Sequence, residues 1–325
     1  MSDRPPLRLA TRGSPLALWQ ASRVAALLAA AGTASTLVVV ETLADRRTDV
    51  PLDRLGGQGV FVKEVQAAVV RGEADAAVHS AKDLPASADL TVPDLVLAAL
   101  PERADPRDTL VGGSLDSLPT GAKVATGSPR RRVQLANLRP DLTFTGLRGN
   151  LAARLARVGV DGIAAVMVAQ AALDRLSWSP PEGVVVEVLE PEVVLPQVGQ
   201  GALAVECRVD DDATRVALDA IHDPKVGPRV EAERAFLAEL GGGCTLPVGA
   251  HARWSPSTSS DLRLTGMVAS DDGTVVVRHT EEGSRPDVLG RSVARYLLDE
   301  AGGGDLGVWL PSSEPGGGSP SAVAW

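Results

Sequence analysis

Leu9-Ala10-Thr11-Arg12-Gly13-Ser14-Pro15, near the start of the chain, is echoed by Val124-Ala125-Thr126-Gly127-Ser128-Pro129-Arg130-Arg131-Arg132. Each stretch is a short apolar run of β type, then a glycine turn, then Ser-Pro opening an amphipathic segment. Serine at the N-cap and proline at the first helical position start a helix for physical reasons. The hydroxyl satisfies an orphan amide, and proline lacks an N–H that would have gone unpaired there anyway. The remaining amides and the helix dipole then face outward as a small anion site. Arginines stand at or just inside both turns. The echo predicts two related α/β units, each built to hold a carboxylate or a phosphate.

Working outward, the first half alternates apolar runs with helical patterns. Strands are expected at Leu7–Thr11, Leu37–Thr42, Ala76–His79 and Leu95–Leu100, and helices at Pro15–Ala31 and Val60–Arg71. A second set follows, with strands at Lys123–Thr126, Thr143–Leu147, Ile163–Val168 and Val184–Leu189, and helices at Pro129–Leu138 and Leu151–Val158. Such alternation argues for α/β units with mostly parallel sheets. Beyond Pro228 the grammar changes. A helix at Arg229–Leu240 ends in three glycines, and apolar-alternating runs follow at Val248–Trp254, Leu262–Val268 and Thr274–Arg278. A helix at Asp287–Glu300 closes this part, which reads as α+β with an antiparallel sheet. From Pro311 the chain is rich in Pro, Gly and Ser, the composition of a disordered tail.

Composition narrows the partners. The chain has 325 residues and a formal net charge of −9, so there is no general basic footprint for nucleic acid or an anionic membrane. Five Trp, three Phe and one Tyr are too few for a base-stacking platform. The arginine clusters are local exceptions on an acidic background, a pattern that suits a small anionic ligand. Met1-Ser2-Asp3-Arg4-Pro5-Pro6 lacks the apolar stretch of a secretory signal, and no apolar run is long enough to span a membrane. Two cysteines and four histidines have no metal-ligand spacing and form no disulfide framework. A cytoplasmic, reducing location is expected, with no metal.

Three constellations carry chemistry. Arg130, Arg131 and Arg132 sit in a first helical turn, where the dipole disfavours positive charge. A triplet of this kind can be a plain solvated face, but Arg148-Gly149-Asn150 and Arg154 follow a strand of the same expected sheet. Loops at the carboxyl ends of parallel strands converge on one crevice, and guanidinium forks bind carboxylates bidentately. Next, His79-Ser80-Ala81-Lys82-Asp83 follows a strand and offers a carboxylate beside an ammonium; His79 itself reads as a strand-end core histidine. Finally, Gly241-Gly242-Gly243-Cys244 leaves a thiol on an unobstructed loop, a candidate nucleophile or attachment point, whereas Cys207 lies in an apolar strand and reads as core. Gly56-Gly57-Gln58-Gly59 and Gly199-Gln200-Gly201 match neither the P-loop nor the dinucleotide fingerprint.

Eight segments in order complete the picture. They are Thr11–Gln20, Gly56–Glu64, Ala77–Pro85, Asp105–Asp108, Thr126–Leu135, Leu147–Asn150, Leu195–Ala202 and Gly242–Gly249. Together they resemble the hydroxymethylbilane synthase family, also called porphobilinogen deaminases, from about residue 7 to residue 250 and more weakly to about 308. The resemblance implies two periplasmic-binding-protein-like α/β domains around a cleft plus a third, smaller α+β domain. Residues 1–96 with 200–218 would form the first, 97–199 the second and 219–308 the third, with 309–325 a tail. It implies a transferase of tetrapyrrole biosynthesis that joins four porphobilinogen molecules head to tail with loss of ammonia. The product is hydroxymethylbilane, and the primer is a dipyrromethane cofactor held by a thioether to Cys244.

By the same resemblance Asp83 is the catalytic group, stabilising the cation formed as ammonia leaves. Lys82, Thr126, Ser128, Arg130, Arg131, Arg154 and Gln200 would hold the cofactor, and Arg12, Ser14, Gln20, Arg148, Gly149 and Asn150 the substrate. A monomer is implied, with hand-off of the product to the next enzyme of the pathway. Departures from the family pattern are Gln58 for a common Lys, Leu43-Ala44-Asp45 for a basic-Gly-Asp turn, Gly127 and Pro129 for Ser and Leu, and Gly241 for a Glu. The competing reading is a two-domain module that captures an organic anion without chemistry. Asp83 and Cys244 speak against it, because a receptor needs neither.

Overall fold

A computed structural model of the chain describes residues 5–41, 62–87, 90–241, 246–258 and 260–306. Cys244, Gln58, the Leu43-Ala44-Asp45 turn and the segment from Pro311 lie outside the described residues. The echoed stretches fold alike. β1 (Leu7–Arg12) runs into α1 (Pro15–Ala30), where Ser14 caps the helix by accepting from the Ala17 amide at 3.3 Å. β6 (Lys123–Ala125) runs into α3 (Pro129–Leu138), where Ser128 accepts from the Arg131 amide at 3.5 Å. In both helices proline fills the first turn, as its fixed φ favours.

The likeness extends to whole sheets. β2 (Ser35–Val40), β3 (Ala76–Ser80), β4 (Leu95–Ala99) and β10 (Leu203–Arg208) join β1 in a five-stranded sheet of order β2-β1-β3-β10-β4, with α2 (Lys63–Val70) leading into β3. β5 (Asp108–Val111), β7 (Thr143–Thr145), β8 (Ile163–Ala169) and β9 (Val186–Leu189) join β6 in a second, of order β7-β6-β8-β5-β9. The orders are the same pattern. In each, the fourth strand runs antiparallel to both neighbours. Four of the five strands in each sheet run the same way, as expected of mostly parallel sheets, and the fourth is the reversed one. The physical reason lies in the connections: β5 follows directly on β4, and β10 on β9, so each fourth strand arrives from the other sheet. The carboxyl ends of the parallel strands face each other across the join. A strand entering from that side must run backwards.

The two crossing segments pair with one another. Arg103 bridges Ala202, the Ala104 amide donates to the Gly201 carbonyl at 2.9 Å, and the Leu203 amide to that of Glu102 at 3.1 Å. Short helices fill the remaining links: α4 (Leu151–Leu155), α5 (Gln170–Arg175) and α6 (Asp212–Asp219). The apolar faces of β1, β3 and β10 pack on α1 through Leu9, Val24, Leu28, Val78 and Val205, all nearly inaccessible.

The smaller α+β part has α7 (Gly227–Glu239), a meander of β11 (Val248–Trp254), β12 (Leu262–Ala269) and β13 (Val276–Gly283), and α8 (Pro286–Arg295). Phe236, Leu264, Val268 and Val293 form its core. β13 runs well past the expected Arg278. Apolar residues stop at Val277, but the antiparallel ladder with β12 continues to Gly283 through polar residues on an edge. α8 stops at Arg295, and Tyr296–Glu300 forms a wider π turn in place of the expected continuous helix. Among the described residues no helix is long and apolar enough to cross a membrane.

Candidate active site

Asp83 stands in a 3₁₀ turn, Ala81–Asp83, at the carboxyl end of β3. The turn is fixed to the second crossing segment, because the Ala81 amide donates to the Ala202 carbonyl at 3.0 Å. The Asp83 side chain is half-buried and has no hydrogen bond or ion pair among the described residues. Its neighbour Lys82 donates from Nζ to Gln200 Oε1 at 3.2 Å. Burial first, and the Arg131 charge next, lower the Lys82 pKa to about 8, with Asp83 and Asp108 opposing.

Facing this turn is the start of α3. Arg130 and Arg131, expected to clamp carboxylates of the cofactor, are 2% and 6% exposed and close on a carboxylate of the protein itself, Asp108, which is fully buried. Arg130 Nη1 lies 2.7 Å from Asp108 Oδ2, and Arg131 Nη2 2.7 Å from Oδ1. The unfavourable placement of cations at a helix N-terminus is thereby neutralised. Burial alone would raise the Asp108 pKa, but the two guanidinium groups outweigh it and hold the carboxyl far below its ordinary range. Arg131 also donates to the Met167 carbonyl at 3.0 Å and to Gln200 Oε1 at 3.4 Å, so most of its donors are engaged. Arg130 differs, since its Nε and Nη2 are buried with no hydrogen-bond partner among the described residues. Gln200 ties the set together, because its Nε2 donates to Asp108 Oδ1 at 2.8 Å while its Oε1 receives Lys82.

The loop after β7 completes the arrangement. A Cβ on Gly127 would stand 2.7 Å from the Leu147 carbonyl, so the chain entering Arg148 lies directly on the Thr126–Ser128 turn. Arg148 Nη1 is buried with no hydrogen-bond partner among the described residues. Asn150 is engaged as the N-cap of α4, accepting from the Ala153 amide at 3.0 Å, and the Gly149 carbonyl accepts from Arg154 Nε at 2.7 Å. Burial, Arg131 and Arg148 lower the Arg154 pKa, and Asp83 opposes them. Lys82, Asp83, Arg131, Arg148 and Arg154 are therefore one electrostatic cluster. Thr126 Oγ1 accepts from the Ser128 amide at 3.2 Å. Arg12 and Ser14 stand at the matching end of β1. Gln20, expected among the substrate-binding residues, is 5% exposed within α1.

Residue-by-residue reading overlooked three groups. Asp108 was visible only as the last residue of Asp105-Pro106-Arg107-Asp108. Glu233 pairs with Arg103 at 2.7 Å, both almost wholly buried, beside the crossing segments. Arg175 Nη2 donates to the Gly201 carbonyl at 2.7 Å, and its guanidinium carbon lies 5.4 Å from the centre of the Trp19 ring. Of the lesser candidates, His79 is buried with Nε2 3.2 Å from Glu206. Cys207 is fully buried, which pushes its thiol up to about 11 and makes it inert.

A carboxylate with no hydrogen bond or ion pair among the described residues, sharing an electrostatic cluster with Lys82 and Arg154, can stabilise a transient positive charge while its neighbours hold the carboxylates of an anionic substrate. Comparison with known proteins gives the family. The family model "Porphobilinogen deaminase, dipyromethane cofactor binding domain" matches residues 7–216, and "Porphobilinogen deaminase, C-terminal domain" matches residues 228–299. The porphobilinogen deaminase of Acidothermus cellulolyticus is 46% identical over 301 residues, covering 90% of this chain and 88% of that protein. That of Nocardia farcinica is 46% identical over 322 residues, covering 96% and 90%. Among solved structures, the VFT2 domain of Bordetella pertussis BvgS (a double mutant) has a TM-score of 0.41 at 16% identity, covering 67% of this chain and 87% of that one. That similarity is weak, and the fold rests on the strand orders above. With family models spanning both the paired sheets and the smaller domain, the chain belongs to the porphobilinogen deaminase family.

Proposed function

We propose that this protein joins four porphobilinogen molecules head to tail, releasing ammonia at each addition and finally hydroxymethylbilane, on a dipyrromethane attached to Cys244. The observation that supports it best is the Asp83 carboxylate, unpaired among the described residues, inside the cluster of Lys82, Arg131, Arg148 and Arg154. What supports a place for the cofactor is the neighbourhood of its attachment point: Arg130 lies beside Ser128, Gln197, Val198, Leu237 and Leu246, and Leu246 stands two residues after Cys244 in the sequence. The donors of Arg130 and Arg148 that have no hydrogen-bond partner among the described residues suit pyrrole acetate and propionate groups. When bound, the dipyrromethane supplies the pyrrole end to which the first substrate is joined.

The chain's own groups divide the work. Asp83 accepts the pyrrole N–H of the incoming substrate and stabilises the positive charge that develops as the amine departs. Lys82, Arg148 and Arg154, with Arg12 and the Ser14 and Ser128 caps, hold acid side arms. Gln200 keeps Lys82 and Asp108 in register from the crossing segment. The proposed division is residues 1–96 with 200–218, 97–199 and 219–308; β10 joining the first sheet supports the return at 200, whereas β4, Leu95–Ala99, carries that sheet a few residues past 96. A cytoplasmic monomer that passes its product to the next enzyme is the setting we propose. A reducing compartment suits the free thiol of Cys207.

The purified protein is expected to exceed its sequence mass by two pyrrole units, and Cys244→Ser to remove that excess together with activity. Intact-mass spectrometry reads both, and an active protein at its bare sequence mass overturns the proposal. A second expectation concerns pH. Lys82, with its pKa lowered to about 8, is a cation at neutral pH and loses its charge as the pH rises through that value. kcat/KM should therefore fall on the alkaline side, and Lys82→Met should remove that limb while lowering the neutral value. Profiles between about pH 6 and pH 10 check this, because kcat/KM reports groups of the free enzyme. An unchanged limb in Lys82→Met means another group titrates there.

A further inference from the structure

The turn that presents Asp83 is held by its carbonyls from two sides. Gln197 Nε2, on the second crossing segment, donates to the Lys82 carbonyl at 3.3 Å. Arg234 Nη2, on α7, donates to the Pro85 carbonyl at 2.9 Å. Between these contacts the turn lies flat on Gly199, with φ +70°, where a Cβ would come within 3.0 Å of the Ala81 carbonyl carbon and 3.1 Å of the Lys82 nitrogen. The Gly199 amide in turn donates to Glu233 Oε2 at 2.8 Å. Glu233 is the residue before Arg234, and it also takes Arg103 Nη1 at 2.7 Å and the Ala252 amide at 2.8 Å. One helix thus sends a buried carboxylate to both crossing segments and a guanidinium to the turn bearing Asp83.

Arg234 is a costly choice for a purely structural contact. Burial lowers its pKa with Glu206 opposing, and its Nη1 is buried with no hydrogen-bond partner among the described residues. An apolar side chain fills interior space without that desolvation penalty. Resting on the function proposed above, we infer that Arg234 and Gln197 are positioning residues for the Asp83 carboxylate. They act through the Pro85 and Lys82 carbonyls and contribute to turnover, with little effect on substrate affinity. α7 ends at Glu239, five residues before Cys244 in the sequence, so the helix that steadies the carboxylate also leads into the attachment point.

Arg234→Gln, Arg234→Lys and Gln197→Ala, each prepared with its pyrrole mass verified, test this. In Arg234→Gln and Gln197→Ala, kcat is expected to fall about 10- to 100-fold with KM within about twofold of the parent, as misplacement of a reacting group predicts. Arg234→Lys, whose ammonium can still reach the Pro85 carbonyl, is expected to recover most of the loss. A role confined to stability would lower the melting temperature and leave kcat of the folded enzyme alone. If Arg234→Gln does not fold, Gln197→Ala, which removes a single long hydrogen bond, decides the matter. A kcat within about twofold of the parent, or a loss confined to KM, overturns the inference. A parent without pyrrole mass overturns the functional reading and this inference with it. An active, pyrrole-bearing parent matched by its variants overturns this inference alone.

Discussion

Asp83→Ala is expected to keep its fold and at least part of its pyrrole mass while losing about 10²- to 10⁴-fold in turnover, the range for a positioned acid–base group. The fold survives because the side chain makes no hydrogen bond or ion pair among the described residues, so its removal strands nothing. Turnover falls because, among the described residues, no cation closes on this carboxylate, which shares one electrostatic cluster with Lys82, Arg131, Arg148 and Arg154. The same substitution has an electrostatic signature. Asp83 raises the Lys82 pKa against burial and Arg131. Without it, the alkaline limb of kcat/KM should move to lower pH. Single-turnover release of ammonia, with intact mass on the same sample, separates the loss of chemistry from the loss of the primer. Turnover within about tenfold of the parent would mean that the carboxylate has been misassigned.

Asp108→Ala is expected to remove about 3–5 kcal/mol of stability, because it leaves two buried guanidinium groups without their shared counter-charge. Arg130 and Arg131 are 2% and 6% exposed, so water cannot replace the lost partner without opening the start of α3. Gln200 loses an acceptor at the same time. Urea unfolding measures the change, and a loss under about 1 kcal/mol would show that the pair is worth no more than a surface bridge. The pH dependence follows from the lowered folded-state pKa. The Asp108 contribution is fully present above the unfolded value of about 3.9 and declines as the pH drops below it toward the folded value. Acid sensitivity below about pH 4 should therefore be weaker in Asp108→Asn than in the parent, from a lower starting stability.

How much of this was legible in the sequence depended on range. Ser14-Pro15 and Ser128-Pro129 announce helix starts because capping is settled within four residues, and both helices begin there. β5, with only Asp108–Val111, was passed over because four residues carry no periodicity, and the short α5 and α6 were missed likewise. The antiparallel direction of β5 and β10 is set by the side from which the chain enters each sheet, which no local pattern records. Asp83 with Lys82, and the Arg148–Arg154 loop, were readable as chemistry because they follow strand ends. The pairing of Asp108 with Arg130 was not, since it joins residues 22 positions apart through the register of a sheet. Gln197 and Arg234 act through main-chain carbonyls, which leave no mark on side-chain motifs.

The insertion of β10 between β3 and β4 has a consequence for biosynthesis. The sheet begun by β1 stays one strand short until residues 203–208 leave the ribosome, about a hundred residues after β4. At translation rates of about 5–20 residues per second, the nascent chain carries that gap for about 5–20 s. Both flanks of the gap are apolar, Ala76-Ala77-Val78 on one side and Leu95-Val96-Leu97 on the other, with main-chain groups awaiting partners. The first sheet of the protein therefore closes only once the second sheet's strands have been made.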